Sequence, residues 1–173
     1  MRVLLIILVF GLLSPSLAAA SKTYMSQNDF LELAFAASSG ELPTVKTLWL
    51  DEELQSQIKT ILGHPYPKLR LKYWQKNQQT VWFLEEIGKE RPISFGVSVK
   101  DNRVENIKVL VFRESRGDEI RFQSFTDQFQ YIGVNNDGEL DQSIDGITGA
   151  TMSVNAMKKI TRMALLLAKL VSA

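Results

Sequence analysis

Four short apolar runs separated by polar turns fill the middle of this 173-residue chain and constrain its fold most strongly. They begin at Leu69, Thr80, Ile93 and Ile107. Every second residue from Ile93 to Val99 is apolar, and this period of two indicates a strand with one buried face. Short turns can join antiparallel strands but cannot make the longer crossovers that parallel strands need. The sequence therefore predicts an antiparallel meander.

Helical patterns flank these strands. Three stretches repeat apolar residues at helical spacing: residues 26–37, 51–62 and 153–171. Ser26 or Asn28 would cap the first helix and Gly40 would end it, while the loop Gly63–Pro67 would end the second. The third helix has an apolar stripe opposite a row of lysine and arginine side chains, so we expect it to pack on the sheet.

Together these elements predict an α+β fold, in which an antiparallel β-sheet meander packs against helices in a single domain. Residues 21–67 would form an N-terminal helical segment, and residues 68–173 would form the part that carries the sheet and the last helix. The length that follows residue 20 suits one domain with its own hydrophobic core.

The first twenty residues have the pattern of a secretory signal peptide. Arg2 precedes an apolar stretch from Val3 to Leu13, and small residues follow at Ala18–Ala20. The apolar core is shorter than the roughly 20 residues that span a bilayer, which favours cleavage near Ala20 over a retained anchor. We therefore expect a periplasmic protein, either soluble or peripherally associated with the membrane.

The composition excludes several classes of function. The chain has no cysteine, so it forms no disulfide and no thiolate metal site. Of its 20 lysines and arginines only Arg2 lies in residues 1–20, so the exported chain would carry 19 basic and 19 acidic residues. Nucleic-acid binding needs a concentrated positive face, and we expect no such partner. His64 is the only histidine, which favours a structural loop residue over a metal ligand or a serine hydrolase base.

The run Asp145–Ser153 leads into the last helix and contains the strongest candidates for functional residues in the sequence. Its two glycines, Gly146 and Gly149, permit backbone conformations that other residues avoid and allow another molecule to come close. It also carries three hydroxyls that could cap the helix: Thr148, Thr151 and Ser153. A helix N-terminus favours a phosphate through its unpaired N–H groups and its dipole. Spacing alone fits both a phosphate site and an ordinary Asp-Gly turn before a capped helix.

This run resembles the Asp-Gly-x-Ser/Thr-Gly-Ala-Ser/Thr signature of the FMN-binding domain family. Its members include the small flavin subunits of sodium-pumping NADH:quinone reductases and of related ferredoxin:NAD oxidoreductase complexes. Two more segments follow the family's order: Phe112–Gly117 is similar to its Glu-x-x-Gly loop at a strand end, and Phe125–Phe129 is similar to its aromatic-Gln-Phe segment. The resemblance covers about residues 79 to 171.

The resemblance implies covalent FMN. In the family the last hydroxyl of the signature carries FMN through a phosphoester bond, and here that hydroxyl belongs to Thr151. The rest of the signature would bind the cofactor or take part in its attachment: Asp145, Gly146, Thr148, Gly149, Ala150 and Ser153. Asp145 would serve recognition or orientation in that reaction. A separate flavin transferase that depends on FAD and Mg²⁺ would install the cofactor, because a threonine hydroxyl is a poor nucleophile without an activating base.

The same resemblance implies a second group of cofactor contacts, and these lie in the loop after the fourth strand: Glu114, Ser115, Arg116 and Gly117. Many larger relatives have Thr-Pro-Gly where this chain has Ser115-Arg116-Gly117. Arg116 either offsets the negative charge that the flavin gains on reduction or is a solvated surface arginine. Phe125 and Phe129 either contact the isoalloxazine ring or belong to the core, the usual place of clustered aromatic residues.

These observations predict a periplasmic electron-transfer flavoprotein that relays electrons between membrane or periplasmic redox partners, with the flavin supplying the redox chemistry. They identify no catalytic residue and no metal ligand. Two other classes stay open: an FMN-dependent reductase of a small substrate, and a non-redox periplasmic adaptor in which the attachment motif has lapsed. We expect an electron carrier rather than a turnover enzyme.

Overall fold

The computed structural model describes residues 21–37 and 41–172. The predicted signal peptide and the predicted helix end at Gly40 lie outside these residues. Six strands are described: β1 (Lys22–Thr23), β2 (Val45–Trp49), β3 (Arg70–Lys76), β4 (Gln79–Ile87), β5 (Pro92–Lys100) and β6 (Arg103–Phe112). They form one sheet in the order β1-β6-β5-β4-β3-β2, and every neighbouring pair is antiparallel. The predicted antiparallel meander is confirmed.

The turns of the meander have the chemistry that tight hairpins require. Asp101 and Asn102 join β5 to β6, and both have left-handed backbone angles, with φ of 50° and 59°. Asp and Asn tolerate this region better than most residues, which suits a two-residue hairpin turn. Pro92 starts β5, where it pairs with Ile87 at the end of β4.

The two outermost strands come from the segment that the sequence predicted as helical. β1 pairs with β6 at one edge of the sheet, and β2 pairs with β3 at the other edge. β1 has only two residues, and most side chains of β2 are exposed, so neither strand shows an alternation of buried and exposed residues. The hydrophobic pattern therefore gave no sign of them.

In the described part of the chain, four α-helices cover the sheet: α1 (Gln27–Phe35), α2 (Glu52–Leu62), α3 (Gln123–Thr126) and α4 (Thr151–Ser172). Short 3₁₀ turns at Asp118–Arg121 and Asp127–Phe129 flank α3. Ser26 caps α1 in a capping box with Asp29, as the sequence predicted for one of two candidate residues. Asp51 caps the N-terminus of α2.

The helices lie on both faces of the sheet. α4 packs against β4 and β5 and also against α2, so these two helices share one face and the larger core. α1 covers the opposite face, where Phe30 lies over Gly96 of β5. A Cβ atom on Gly96 would approach the Phe30 ring to 2.8 Å, so the missing side chain admits the helix. No helix among the described residues has the length and apolar character to cross a membrane.

His64 ties the loop after α2 to the sheet and to α4. Its Nδ1 lies 3.0 Å from the Pro65 carbonyl oxygen, and its Nε2 lies 3.1 Å from each carboxylate oxygen of the buried Glu86. Lys159 of α4 donates to Glu86 Oε1 and to the Leu62 carbonyl. Both imidazole nitrogens face acceptors, so the doubly protonated ring satisfies this environment best. The hydrogen bond to Pro65 and then the one to Glu86 raise the pKa of His64 above its ordinary value.

Stability is expected to fall as the pH rises through the raised pKa of His64. A raised folded-state pKa stabilises the fold fully below the ordinary histidine pKa, and this contribution disappears as the ring loses its proton. Thermal unfolding between about pH 6 and about pH 8.5 should show a declining midpoint in the wild type and a weaker decline in His64→Gln. Equal slopes in the two proteins would contradict the assignment.

Candidate functional site

A cleft of about 480 Å³ lies where the β4–β5 turn, the segment after β6 and the start of α4 meet. It is lined by Lys89, Glu90, Glu114, Ser115, Arg116, Gly149, Ala150, Thr151, Met152 and Ser153. Its volume falls within the range of about 300–1,000 Å³ that is usual for ligand pockets. The fold thus brings together the end of the Asp145–Ser153 run and the Glu114 loop, which are far apart in the sequence.

Among the three hydroxyls of the run, Thr151 is the one that is both exposed and part of the cleft lining. Thr148 is exposed but lies outside the lining, and Ser153 is buried with 4% exposure. Thr151 is also the first residue of α4, and the Val154 N–H donates to the Ala150 carbonyl at 2.9 Å. Ala150 therefore occupies the position before the helix, and none of the three candidate hydroxyls stands there.

The two glycines of the run differ in their backbone. Gly149 has a φ of 85°, a conformation that a side chain would strain, and no atom lies within 4 Å of where its Cβ would be. Gly146 also faces open space, but its φ is not positive. Of the two glycines, Gly149 thus adopts a backbone conformation that favours glycine. Asp145, Gly146 and Thr148 are exposed and lie outside the cleft lining.

Gly117 joins the two motifs physically. Its φ is 92°, and a Cβ atom at this position would lie 2.5 Å from Ser153 Oγ in the first turn of α4. Both the backbone angle and this close approach require glycine. The loop after β6 therefore packs directly on the helix start, and this contact places Ser115 and Arg116 beside the cleft.

Glu114 organises the opposite wall. Its Oε1 accepts hydrogen bonds from the backbone N–H groups of Lys89, Glu90 and Arg91, at 2.6, 2.7 and 2.9 Å. Burial by itself would raise the pKa of Glu114, but the three N–H groups outweigh it and lower the pKa below the ordinary carboxyl value. Glu114 thus acts as an anion that holds the β4–β5 turn in place.

The cleft offers groups that suit a phosphate joined to a planar ring. Lys89 and Arg116 supply positive charge, and the first turn of α4 supplies the positive end of the helix dipole. Ala150 and the half-exposed Met152 add apolar surface. The sequence patterns did not identify Lys89, Glu90 or Met152 as site residues; Lys89 and Glu90 lie between two predicted strands, outside the segments that carry the family resemblance.

The aromatic segment after the cleft belongs to the core. Phe125 and Phe129 are 5% and 0% exposed, and their rings pack edge to face with centroids 5.7 Å apart. Neither ring lines the cleft. Of the two interpretations that the sequence left open, the structure favours the core for both residues. No group of three or more His, Asp or Glu side chains in the described part of the chain is arranged to hold a metal ion.

Comparison with protein families matches residues 88–166 to the model of the FMN-binding domain. The matched segment contains β5, β6, most of α4 and every residue that the sequence predicted for the site. A comparison with curated proteins found no match.

Proposed function

We propose, from the match of residues 88–166 to the FMN-binding domain model, that the protein carries FMN covalently on Thr151 and relays electrons in the periplasm. One observation carries the proposal: Thr151 is an exposed hydroxyl that lies at the start of a 22-residue helix and lines the cleft. An N-terminal helix turn is a favourable site for the phosphate of the cofactor.

In the proposed attachment, Thr151 Oγ1 forms a bond to the phosphorus on the flavin side of FAD. The pyrophosphate bond to AMP breaks, AMP leaves, and the hydroxyl proton passes to a base of the flavin transferase. Asp145, Gly146 and Thr148 are exposed around Thr151, so a second protein can reach this loop. The need for FAD, Mg²⁺ and a transferase follows from the family resemblance.

Each wall of the cleft has a separate task in holding the cofactor. The first turn of α4 would hold the phosphate, Lys89 and Arg116 would offset negative charge, and Met152 would offer an apolar surface to the ring. Glu114 keeps the turn that carries Lys89 in place. The bound FMN would supply the redox chemistry, since a flavin accepts and returns electrons singly or in pairs.

A carrier role suits these features better than substrate turnover, because no histidine is among the residues that line the cleft. The electron donor and acceptor would be membrane or periplasmic redox partners. Export is supported by the signal-peptide pattern of residues 1–20, and a covalent bond would prevent loss of the cofactor outside the cytoplasm.

The decisive experiment is the intact mass of the full chain after expression with and without a flavin transferase. We expect a mass increase equal to one FMN phosphoester, and flavin fluorescence that remains with the denatured protein. Release of FMN on denaturation would show that the protein binds the flavin without a covalent bond. Absence of any flavin would favour the non-redox adaptor.

Arg116→Gln is expected to lower the midpoint potential of the loaded protein. A cation beside the flavin stabilises the more negative, reduced form, and loss of about 1.4 kcal/mol of that preference corresponds to about 30 mV for a two-electron couple. Arg116 is exposed and solvent weakens its effect, so we expect a shift of about 10–30 mV. Potentiometric titration measures it. Arg70→Gln on β3 is the matched control, and an unchanged potential in Arg116→Gln would assign Arg116 to the solvated surface.

Asp145→Ala is expected to reduce FMN loading far more than it changes stability. Asp145 is exposed, and exposed substitutions usually change the free energy of unfolding by less than about 0.5 kcal/mol. Intact mass gives the loaded fraction, and thermal unfolding gives the stability. Complete loading, or loss of the fold, would contradict the predicted role of Asp145 in recognition or orientation.

A further inference from the structure

The peptide group between Ile144 and Asp145 is held on both sides by side chains. The Asp145 backbone N–H donates to Gln128 Oε1 at 2.8 Å. The Ile144 carbonyl oxygen of the same peptide accepts from Lys158 Nζ at 3.0 Å. Gln128 belongs to the 3₁₀ turn Asp127–Phe129, and Lys158 belongs to α4. Two elements distant in sequence thus clamp one peptide plane.

Both clamping side chains extend from elements that are fixed in the core. Gln128 directly precedes Phe129, which is fully buried and packs against Phe125. Lys158 follows Met157, which is also fully buried. These contacts hold the backbone at Gln128 and at Lys158, so both clamping side chains extend from fixed positions.

The loop that follows has few other restraints. Residues 145–150, termed here the attachment loop, keep one internal backbone hydrogen bond, from the Ala150 N–H to the Ile147 carbonyl at 3.0 Å. Ala150 is buried at the end of the loop, and Ile147 packs partly against the core in its middle. The clamped peptide is the anchor at the beginning of the loop, because Asp145 and Gly146 are exposed.

We propose that Gln128 and Lys158 are positioning residues for cofactor attachment: by clamping the Ile144–Asp145 peptide they fix the conformation in which the attachment loop presents Thr151. This inference rests on the proposed attachment at Thr151. Neither residue lines the cleft, so both act through the loop. A reacting group held in one geometry reacts faster than a mobile one, and small displacements cost large factors in rate.

The clamp itself is tested in the full chain without flavin, by hydrogen exchange of the Asp145 amide followed by NMR. Gln128→Met removes the acceptor, and we expect at least about tenfold faster exchange at Asp145. Gln128→Glu keeps a carbonyl-type oxygen at the same reach and should retain protection. Gln130→Met is the matched control, since Gln130 is exposed and hydrogen-bonds within its own turn to Asp127.

Attachment is tested by the initial rate of FMN transfer to the same proteins, with purified transferase, FAD and Mg²⁺. We expect Gln128→Met and Lys158→Met to load at least about fivefold more slowly than the wild type, with near-normal rates in Gln128→Glu and Lys158→Arg. Lys169→Met, an exposed change near the end of α4, is the control for loss of a lysine from that helix. Rescue by the conservative variants separates positioning from a general loss of stability.

The possible outcomes are distinct. Unchanged Asp145 exchange in Gln128→Met would overturn the clamp. Faster exchange with an unchanged loading rate would overturn its role in attachment while Thr151 remains the attachment residue. No loading of the wild type would remove the proposed function, and with it the role in attachment, whereas the exchange data would still decide whether the peptide is clamped.

Discussion

Thr151→Ala is expected to abolish covalent FMN and to leave the fold intact. The substitution removes the hydroxyl that would form the phosphoester, and no other hydroxyl of the run combines exposure with a place in the cleft lining. Thr151 is exposed in the first turn of α4, so the free energy of unfolding should change by less than about 0.5 kcal/mol. Intact mass and tryptic peptide mapping after expression with the transferase measure the loss.

Two variants sharpen this result. Thr151→Ser keeps a hydroxyl at the same position and should still accept FMN. Thr47→Ala removes an exposed threonine from β2, at the far edge of the sheet, and should load fully. Attachment found on Thr148 or Ser153, or covalent FMN retained by Thr151→Ala, would show that the reacting hydroxyl was assigned wrongly.

The hydrophobic pattern of the sequence predicted the strands and helices that bury apolar side chains. β3 to β6 and α4 all contribute buried apolar side chains to the core, and their sequences predicted them within a few residues. β2 was missed because its side chains are mostly exposed at the edge of the sheet, where backbone pairing with β3 forms the strand. Pairing of this kind depends on the neighbouring strand and leaves no periodic pattern in the strand itself.

The candidate site was predictable in part, for a similar reason. Local motifs pointed to Thr151 and to the Glu114 loop, because glycine and hydroxyl spacing is visible along the chain. Lys89 joins the cleft only because the β4–β5 turn folds against Glu114, and Gln128 reaches Asp145 only across the tertiary structure. Contacts between a side chain and a distant backbone group leave no spacing pattern. The aromatic residues Phe125 and Phe129 suited either a ring contact or the core, and only packing could decide between these.

Glu114→Ala is expected to destabilise the protein by about 2–3 kcal/mol and to weaken FMN binding. The carboxylate serves three backbone N–H groups of the β4–β5 turn, and a hydrogen bond to a charged group contributes about 1.5–3 kcal/mol. Water can reach this turn and hydrogen-bond to the freed N–H groups, so the total loss of stability should lie well below the sum of three such hydrogen bonds. The melting midpoint should fall by roughly 5–10 °C. The turn also carries Lys89, so displacement of the turn would change the lining of the cleft.

Two controls and the pH dependence test the same explanation. Glu90→Ala removes an exposed carboxylate from the same turn but keeps its backbone N–H, and it should cost less than about 0.5 kcal/mol. Glu114→Gln keeps an acceptor oxygen without the charge, so the stability that it loses should lie between the losses of the two alanine variants.

The pH dependence of unfolding tests whether Glu114 acts as an anion. Because the N–H groups lower the pKa of Glu114 more than burial raises it, the stabilisation by Glu114 is complete above the ordinary carboxyl pKa and disappears as the pH falls through the lowered value. Glu114→Gln should therefore unfold with a weaker dependence on acid than the wild type. An identical acid dependence in both proteins would mean that Glu114 does not hold the turn as an anion, and that another contact fixes this wall of the cleft.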